Sequence, residues 1–506
     1  MKKILINTHP WETRVAIMDG GKLQNAYFTP HAANQLERCF FKGVVTKVLP
    51  GIQTAFVDIG QEKAGFLHIS EIDYELGFTR MAGDVDDLEE GEKKEAPPRR
   101  KDLDMGKIFT EGEAILVQVS KEPVYEKGAK LTTCFTLAGR FIVLMPNVPR
   151  IGISKRIGTK EERTRLRDII KELLPEGMGA IVRTSCEGKT KVELSKDIKF
   201  LIGEWRTIEK KFKRAQNEER IFEDLPASLA VIRDNLDDNV ESILADSPKE
   251  LRKITNYVRA IAPEYKGTIE LYQGELDLFS KYNVEKQIED ALQRKVYLKS
   301  GGSIIVESTE AMTVVDVNTG RFTGKGNKAT MEDTILRTNL EAAQEVVRQL
   351  RLRNIGGLIV IDFIDMSVAA NRQKLFKFFE QQLREQDRFQ SVVLKISEFG
   401  LVQMTRKRSG KTLVQQLTRT CSCCRGLGFV HSIQTISYGI LRRFQATLKR
   451  ERGAKNIVLS LNPEVFEHIT HTGYNTILEL EKTFECTITL ASDKGVDLAS
   501  YAVKII

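Results

Sequence analysis

The sequence contains no hydrophobic stretch long enough to cross a bilayer, although 41% of its 506 residues are hydrophobic. A membrane-spanning helix needs about 20 consecutive apolar residues. Near the N-terminus, the apolar residues 4–6 are followed at once by polar residues and Pro10, so the core of a signal peptide does not form. These two absences predict a protein without a membrane-spanning segment that resides in the cytoplasm.

Cysteine is also scarce, and its count is odd. Seven cysteines are spread over the whole chain, and only Cys421, Cys423 and Cys424 lie close together in the sequence. A disulfide framework is typical of short secreted chains with paired cysteines. The cysteine content therefore argues against such a framework and indicates a reducing compartment.

The excess of positive charge is small. The net charge of +8 results from 77 basic and 69 acidic residues, and it is compatible with an anionic partner such as nucleic acid without requiring one. The length is sufficient for roughly three or four domains, each with its own core. The overall composition is thus that of a multidomain globular protein.

The segment from Phe41 to Ile69 has a pattern of short strands separated by turns, which predicts a small closed β-barrel. Phe56 and Phe66 lie in these strands. They are either exposed platforms on which unpaired bases stack, as in OB-type barrels, or part of the barrel core. Residues 83–106 combine mixed charges with few apolar groups, which predicts a solvated insertion.

The most informative region has a strand–helix–strand pattern. It consists of a strand over 312–317, an amphipathic helix over 331–353 that ends at Gly356-Gly357, and a strand over 358–364. The second strand is almost entirely apolar, which predicts that both of its faces are covered. Asp362 interrupts this apolar run. A charge buried in such a strand requires a metal ion or a cationic partner.

A βαβ crossover makes its two strands parallel, so Asp316 and Asp362 are expected at the same edge of the sheet. Asn318 projects from the same strand face as Asp316. This set of oxygen ligands suits Mg²⁺ or Mn²⁺ better than zinc. The alternative is that both carboxylates merely cap strand ends and form salt bridges. Asp365 is predicted to cap the segment that follows it.

The cysteine cluster contains Cys421 and Cys424 in a C-x-x-C arrangement followed by glycines, which is the knuckle geometry that brings two thiolates to one zinc ion. Because zinc normally has four ligands, the other half of the site is expected from another subunit or from distant residues. The alternative is a redox pair, which would need the C-x-x-C at the start of a helix. Cys423 is left as a spare thiol.

One long segment carries a resemblance to a known family. The residues Arg348 to Arg353, leading into Gly356 to Met366, resemble the signature of the ribonuclease E/G family. The similarity covers nearly the whole chain, and its compact length is closer to the ribonuclease G branch. It extends through shorter motifs at Phe41-Lys42-Gly43, Leu144-Met145-Pro146-Asn147 and Pro175-Glu176-Gly177-Met178-Gly179.

The resemblance implies a multidomain chain of the α+β and α/β classes. The implied domains, in order, are an RNase H-like fold split between residues 1–34 and 229–291, an OB-fold RNA-binding domain at 35–125, a 5′-sensor domain at 126–228, a DNase I-like catalytic domain at 292–416, a zinc link at 417–428 and a small α/β dimerisation domain at 429–506.

The resemblance also implies an activity. It is the Mg²⁺-dependent endonucleolytic hydrolysis of single-stranded, AU-rich RNA to 5′-phosphate and 3′-hydroxyl products, in rRNA processing and mRNA decay. Asp316 and Asp362 would bind the catalytic magnesium ion, with Asn318 hydrogen bonding at the site. A non-catalytic RNA-binding assembly protein and a thiol redox protein are the alternative functions.

Further site residues are implied by the same resemblance. The pocket for an RNA 5′-monophosphate would comprise Gly139, Val143, Arg183 and Thr184, and the RNA channel would include Phe56, Phe66 and Lys127. Arg183 beside Thr184 could grip a phosphate on chemical grounds as well. Cys421 and Cys424 would bind a structural zinc ion shared between the subunits of a dimer or a tetramer. The loop 319–330 looks longer than in well-known members.

Overall fold

The computed structural model describes residues 1–31, 35–72, 85–86, 105–123, 128–320, 328–397, 400–407, 410–450 and 455–506. The chain divides into two compact units, Met1–Gln416 and Leu417–Ile506. Lys127 lies outside the described residues, as do most of the insertion 83–106 and most of the loop 319–330. No helix in the described part of the chain is long and apolar enough to cross a membrane.

The strands are β1 Lys2–Thr8, β2 Glu12–Asp19, β3 Lys22–Pro30, β4 Phe40–Leu49, β5 Thr54–Asp58, β6 Gly65–His68, β7 Val85–Asp86, β8 Ala114–Lys121, β9 Lys130–Thr132, β10 Leu137–Ala138, β11 Ile142–Met145, β12 Ile151–Ser154, β13 Gly179–Val182, β14 Arg220–Phe222, β15 Val240–Ala245, β16 Thr268–Leu271, β17 Lys295–Tyr297, β18 Ser303–Ser308, β19 Met312–Asn318, β20 Gly357–Asp362, β21 Ser391–Val393, β22 Leu401–Arg406, β23 Asn456–Leu461, β24 Thr487–Ser492 and β25 Tyr501–Ile505.

The α-helices are α1 Met105–Ile108, α2 Lys160–Leu173, α3 Lys191–Arg214, α4 Ala227–Asn235, α5 Pro248–Ile261, α6 Leu278–Lys281, α7 Val284–Leu292, α8 Lys328–Leu352, α9 Ala369–Gln386, α10 Leu413–Leu417, α11 Ile433–Arg450, α12 Pro463–Thr472 and α13 Tyr474–Phe484.

The first sheet joins strands that are far apart in the sequence. Its order is β16-β15-β1-β2-β3, and β1 pairs in parallel with β15. These strands come from the two segments that the sequence analysis assigned to one split domain. Their apolar side chains, including Ile4, Ile17 and Ile243, are buried with residues of α4 and α5. The pairing explains how two distant segments share one core.

The second sheet closes on itself. Its order is β14-β4-β5-β6-β9-β8, and β4 pairs with both β5 and β8, so a small barrel forms as the strand pattern predicts. The backbone at Gly43 and Gly65 lies so close to neighbouring strands that there is no room for a side chain. A Cβ atom at Gly43 would lie 2.4 Å from Cγ1 of Val57, and one at Gly65 would lie 2.7 Å from Cδ1 of Leu131.

The third sheet has the order β10-β11-β13-β12-β7. The helices α2 and α3 contribute to the core beside it, with Leu166 and Ile198 fully or almost fully buried. A capping box at Thr190 and Glu193 starts α3, because each side chain accepts a hydrogen bond from the backbone of the other residue. Of the predicted 5′-phosphate pocket, Val143 lies on β11, Gly139 follows β10, and Arg183 and Thr184 follow β13.

The fourth sheet contains the predicted βαβ unit. Its order is β17-β18-β19-β20-β22-β21, and β19 and β20 are parallel and connected through α8. The helix ends at Leu352, before Asn354 adopts a positive φ of 50°, so the glycine pair does not itself stop it. Gly357, with φ of 96°, instead begins β20.

The prediction that both faces of β20 are covered is wrong. Ile359 and Ile361 are buried against the core formed with α8 and α9, whereas Leu358 is 42% exposed and Asp362 is exposed. An apolar run in a sequence cannot distinguish a strand covered on both faces from one that leaves an apolar face exposed. The carboxylate of Asp362 therefore does not have the free-energy penalty of a fully buried charge.

The second unit has its own small core. Its sheet has the order β24-β23-β25, in which β23 is parallel to β24 and antiparallel to β25. Ile440 and Phe444 of α11 are fully buried in the same cluster as Leu459. The two parallel strands are connected through α12 and α13, which gives this unit an α/β architecture.

Candidate active site and supporting residues

The carboxylates of Asp316 and Asp362 lie side by side on neighbouring strands. The register of β19 and β20 pairs Asp316 directly with Asp362 at the end of both strands. Asn318 follows on the same face of β19 and donates a hydrogen bond from Nδ2 to Oδ2 of Asp316 over 2.8 Å. The structure thus brings together the three residues that the sequence analysis selected as the catalytic set.

The charges at this edge favour a cation. Partial burial raises the pKa of the Asp362 carboxyl, and the carboxylates of Asp316 and Asp365 raise it further. Among the described residues, no group of three histidine, cysteine or acidic side chains is arranged to hold a metal ion. A pair of carboxylates with open positions fits Mg²⁺, which commonly binds one or two carboxylates and completes its shell with water and phosphate oxygens.

Asp365 does not have the capping role that the sequence predicted for it. The helix α9 starts after Val368, and no side chain of its N-cap residue caps it. Asp365 is exposed, and its carboxylate lies close enough to Asp362 to raise the pKa of that group. Asp365 therefore adds negative charge next to the aspartate pair.

Helix α8 fixes the segment that follows Asp362. Asn339 is fully buried, and its Nδ2 donates to the carbonyl of Ile364 over 2.8 Å while its Oδ1 accepts from the N–H of Ile364 over 3.1 Å. Further towards the start of α8, Glu332 accepts a hydrogen bond from the N–H of Val368 over 3.0 Å. These contacts limit movement of the chain on the C-terminal side of Asp362.

The same helix also fixes the turn between β17 and β18. Glu341 accepts hydrogen bonds from the N–H groups of Lys299 and Ser300 over 2.6 and 3.0 Å. Although burial opposes its charge, these bonds lower the pKa of Glu341. The turn lies against the end of β19, because a Cβ atom at Gly320 would lie 2.3 Å from the carbonyl oxygen of Gly301.

The predicted aromatic platform lies in the barrel. Phe56 of β5 and Phe66 of β6 are direct cross-strand partners. Both side chains are half-buried and neither belongs to the buried cluster inside the barrel. The arrangement favours exposed rings over core residues. Lys127 is the third residue of the predicted RNA channel. It lies outside the described residues.

The four residues of the predicted 5′-phosphate pocket lie on or next to strands of the third sheet, and two of them are in contact. Nη1 of Arg183 donates to the carbonyl of Gly139 over 2.7 Å, and the hydroxyl of Thr184 lies 3.1 Å from that of Ser154. Val143 lies on β11 beside β13, which ends just before Arg183. The structure therefore brings Arg183 and Gly139 into direct contact.

Two acidic residues that the sequence analysis did not identify belong to this region. Asp234 of α4 forms an ion pair with Arg183, with Oδ1 2.8 Å from Nη1. Although burial opposes its charge, Arg183 and Arg233 lower the pKa of Asp234 to about 2. Asp197 accepts hydrogen bonds from the backbone N–H groups of residues 140–142, and burial raises its pKa. Arg183 is therefore held in place by an internal carboxylate.

The cysteine knuckle lies in the second unit. The N–H of Arg425 donates to the carbonyl of Cys421 over 2.8 Å, and Gly426 and Gly428 both have a positive φ. Hydrogen bonds from the N–H groups of Gly428 and Gly426 lower the pKa of the Cys424 thiol, and a bond with Cys421 lowers it further. Such a stabilised thiolate suits a zinc ligand.

The cysteines do not have the position of a redox pair. The nearest following helix, α11, begins at Ile433, so the C-x-x-C is not at a helix start. It also precedes the parallel strands β23 and β24, which form the only βαβ unit described in this part of the chain. Cys423 is exposed.

Comparisons with known proteins cover almost the whole chain. A family model described as the ribonuclease E/G family matches residues 136–409, and one described as the RNase E/G thioredoxin-like domain matches residues 420–506. Ribonuclease G of Salmonella typhimurium (strain SL1344) is 38% identical over 480 residues, which are 95% of this chain and 94% of that protein.

Two further relatives, one of them a much longer protein, are similar over most of this chain. Ribonuclease G of Haemophilus influenzae is 36% identical over 467 residues, which are 92% of this chain and 91% of that protein. Ribonuclease E of Escherichia coli (strain K12) is 39% identical over 458 residues, which are 89% of this chain but 41% of that protein. The first family model spans more than half of the sequence. This chain therefore belongs to the ribonuclease E/G family.

Proposed function

We propose that the chain is an endoribonuclease that hydrolyses single-stranded, AU-rich RNA at Asp316 and Asp362 with a bound Mg²⁺ ion. The observation that carries the proposal is the direct pairing of these two aspartates across parallel strands, at an edge where Asp362 is exposed. Its relatives named ribonuclease G and ribonuclease E support a nuclease acting on RNA. The expected products carry 5′-phosphate and 3′-hydroxyl ends.

The residues of the chain would prepare the site for this chemistry. Asn318 holds one oxygen of Asp316 and so fixes the orientation of that carboxylate. Asn339 fixes the backbone that follows Asp362. Asp316 and Asp362 would hold the Mg²⁺ ion, and the bound ion would supply positive charge that stabilises the negative charge developing on the scissile phosphate. The carboxylates lie on adjacent strands rather than on loops, which favours precise positioning of this charge.

The 5′ end of the substrate would be recognised at Gly139, Val143, Arg183 and Thr184. Support comes from the contact of Arg183 with Gly139 and from its ion pair with Asp234, which orients the guanidinium. A terminal monophosphate could accept charge-assisted hydrogen bonds from Arg183. Phe56 and Phe66, as paired half-buried rings, would stack unpaired bases in the channel, together with Lys127.

The proposed assembly is a homodimer, or a tetramer built from dimers, in which Cys421 and Cys424 of each subunit bind one shared zinc ion. Two thiolates are half of a tetrahedral site, and the hydrogen bonds that lower the pKa of the Cys424 thiol support its role as a ligand. We assign the domains as in the sequence analysis, with the RNase H-like, OB-fold, 5′-sensor, DNase I-like, zinc-link and small domains in their stated ranges. The proposed cellular roles are rRNA processing and mRNA decay in the cytoplasm.

The first experiment compares the purified wild type with Asp362→Asn on a 5′-monophosphorylated, AU-rich single-stranded RNA, with and without Mg²⁺. We expect internal cleavage that leaves 5′-phosphate ends, and a loss of about 100-fold or more in rate for the variant. Asp290→Asn, which changes an exposed carboxylate at the end of α7, is the matched control and should cleave normally.

A 5′-hydroxyl RNA of the same sequence tests the sensing pocket and should be cleaved more slowly. Binding of RNA without cleavage by the wild type, across several metals and sequences, would overturn the nuclease assignment. It would leave the non-catalytic RNA-binding assembly protein as the better description.

A further inference from the structure

The edge strand β17 carries an exposed aromatic side chain on the face of the sheet that contains the aspartates. Tyr297 is 75% exposed, and Nζ of Lys295 lies 5.1 Å from the centre of its ring. The two residues are separated by one position and therefore project from the same strand face. An exposed ring beside a cation offers a stacking surface and a positive charge to a nucleotide.

The register of the sheet places this pair in line with the proposed catalytic residues. Lys295 pairs with Ile305, which pairs with Asp316, whose other neighbour is Asp362. Tyr297 pairs with Ser303, which pairs with Asn318. Directly paired residues share one face of a sheet. The side chains on this face therefore include Lys295, Tyr297, Asp316, Asn318 and Asp362.

The separation suits a nucleotide strand. Neighbouring strands lie about 4.8 Å apart, so Tyr297 lies about 10 Å from Asn318 across β18. A stacked strand advances about 3.4 Å per nucleotide. Asp316 and Asp362 lie two residues further along the strands, so the ring of Tyr297 is roughly three to four nucleotides away from a phosphate held there.

Positive charge continues beyond Tyr297. Tyr297 is one of the residues that line a cleft of about 400 Å³, together with Lys299 of the turn after β17 and Arg337 of α8. The acidic side chains of this cleft are already engaged, because Glu341 binds backbone N–H groups and Glu345 forms ion pairs with Arg348 and Lys22. Lys299 and Arg337 form no ion pair within the part of the chain that the structure describes.

We propose that a surface comprising Lys295 and Tyr297 of β17, Lys299 of the following turn and Arg337 of α8 is a subsite for single-stranded RNA. Tyr297 stacks on a base of the substrate, and the three cations contact its phosphates as the strand passes around this side of the sheet. Proteins bind unpaired strands by this combination of an aromatic platform and a basic groove. The inference rests on the proposed function, because it assigns the path of the substrate that Asp316 and Asp362 cleave.

The test measures binding separately from cleavage. A short 5′-hydroxyl single-stranded RNA with a fluorescent label is titrated with the full chain carrying Asp362→Asn, to which Tyr297→Ala or Tyr297→Phe is added. Removal of the ring should raise the Kd about 10-fold, whereas phenylalanine should keep it within about 2-fold. Tyr474→Ala, at a tyrosine that is 51% exposed in the second unit, is the matched control and should have no effect.

Two further measurements distinguish an RNA contact from a structural role. Lys295→Ala should lower the dependence of log Kd on log salt by about 0.7, while Lys286→Ala, at an exposed lysine of α7, should not. In an otherwise wild-type chain, Tyr297→Ala should raise KM and leave kcat unchanged. An abasic nucleotide placed roughly three to four positions from the cleaved bond should abolish the effect of Tyr297→Ala on Kd.

An unchanged Kd for Tyr297→Ala, or an equal loss for Tyr297→Phe, would overturn the subsite. Cleavage by the wild type in that case would leave the nuclease assignment intact. A wild type that cleaves no RNA but loses affinity on removal of the ring would instead support the subsite and overturn the proposed catalysis.

Discussion

The carboxylate of Asp234 lies between Arg183 and Arg233, which lower its pKa to about 2 although burial opposes the charge. A group with a lowered pKa in the folded state stabilises the protein above its unfolded pKa of about 3.9 and loses this contribution as the pH falls. We expect Asp234→Asn to lower the free energy of unfolding by about 2 kcal/mol at pH 6, and by about half of that at pH 3.

Urea unfolding of the wild type and the variant at both pH values measures this difference. Asp238→Asn is the control, because Asp238 is 87% exposed in its ion pair with Lys189 and should change stability by less than about 0.5 kcal/mol. A difference between wild type and Asp234→Asn that stays constant from pH 6 to pH 3 would contradict the assigned charge interaction.

At the scale of secondary structure, α8 fixes the chain segments next to Asp316 and Asp362. Asn339→Ala leaves the N–H and carbonyl of Ile364 without their partners. We expect a loss of about 2–4 kcal/mol in the free energy of unfolding, together with a fall in kcat that exceeds any change in KM, since the segment after Asp362 becomes less ordered. Chemical unfolding and steady-state cleavage kinetics measure the two effects.

Ser437→Ala provides a comparison at a buried polar residue of the second unit whose hydroxyl has no hydrogen-bond partner among the residues that the structure describes. It should be nearly neutral in both assays. If Asn339→Ala unfolds at the same denaturant concentration as the wild type, or if its KM rises while kcat stays constant, then Asn339 does not position the site.

The central elements of this sheet could be predicted from the sequence because their periodicity is strong. The strand over 312–317, the helix and the strand after Gly357 differ from the observed elements by only a few residues at each end. The exposure of one face of β20 could not be predicted, because an apolar side chain gives the same signal on a covered or an open face. The local sequence pattern likewise predicted that Asp365 caps the following segment, because such a pattern does not show where the helix α9 begins.

Contacts between distant segments could not be predicted from the sequence either. Arg183 and Thr184 were selected for their phosphate chemistry, but nothing near them in the sequence indicates that Asp234 pairs with Arg183. In the sequence, Asn339 and Glu341 are two polar residues of the predicted amphipathic helix, and their spacing indicates no contact outside that helix. Their roles depend on loops that the fold brings to the helix, and a single sequence carries no record of that proximity.

At the scale of the whole molecule, the knuckle predicts how subunits associate. We expect one zinc ion per two chains, and loss of both zinc and the dimer in Cys424→Ser, because a tetrahedral site needs four ligands and each chain offers two. Metal analysis and sedimentation velocity measure the two quantities.

The neighbouring thiol provides a matched control for this prediction. Cys423→Ser should retain zinc and the dimer, since Cys423 is not part of the C-x-x-C pair. Wild-type zinc content in Cys424→Ser, or an equal loss in Cys423→Ser, would contradict the shared site.

The first sheet has a consequence for the synthesis of the chain. Asn7 and Asp246, which form a hydrogen bond of 2.6 Å, are 239 residues apart, and β1 cannot pair with β15 until both have left the ribosome. At about 5–20 residues per second, that interval lasts roughly 10–50 s. By the end of this time all strands of the barrel and the third sheet have been synthesised, while one edge of β1 still lacks its partner strand.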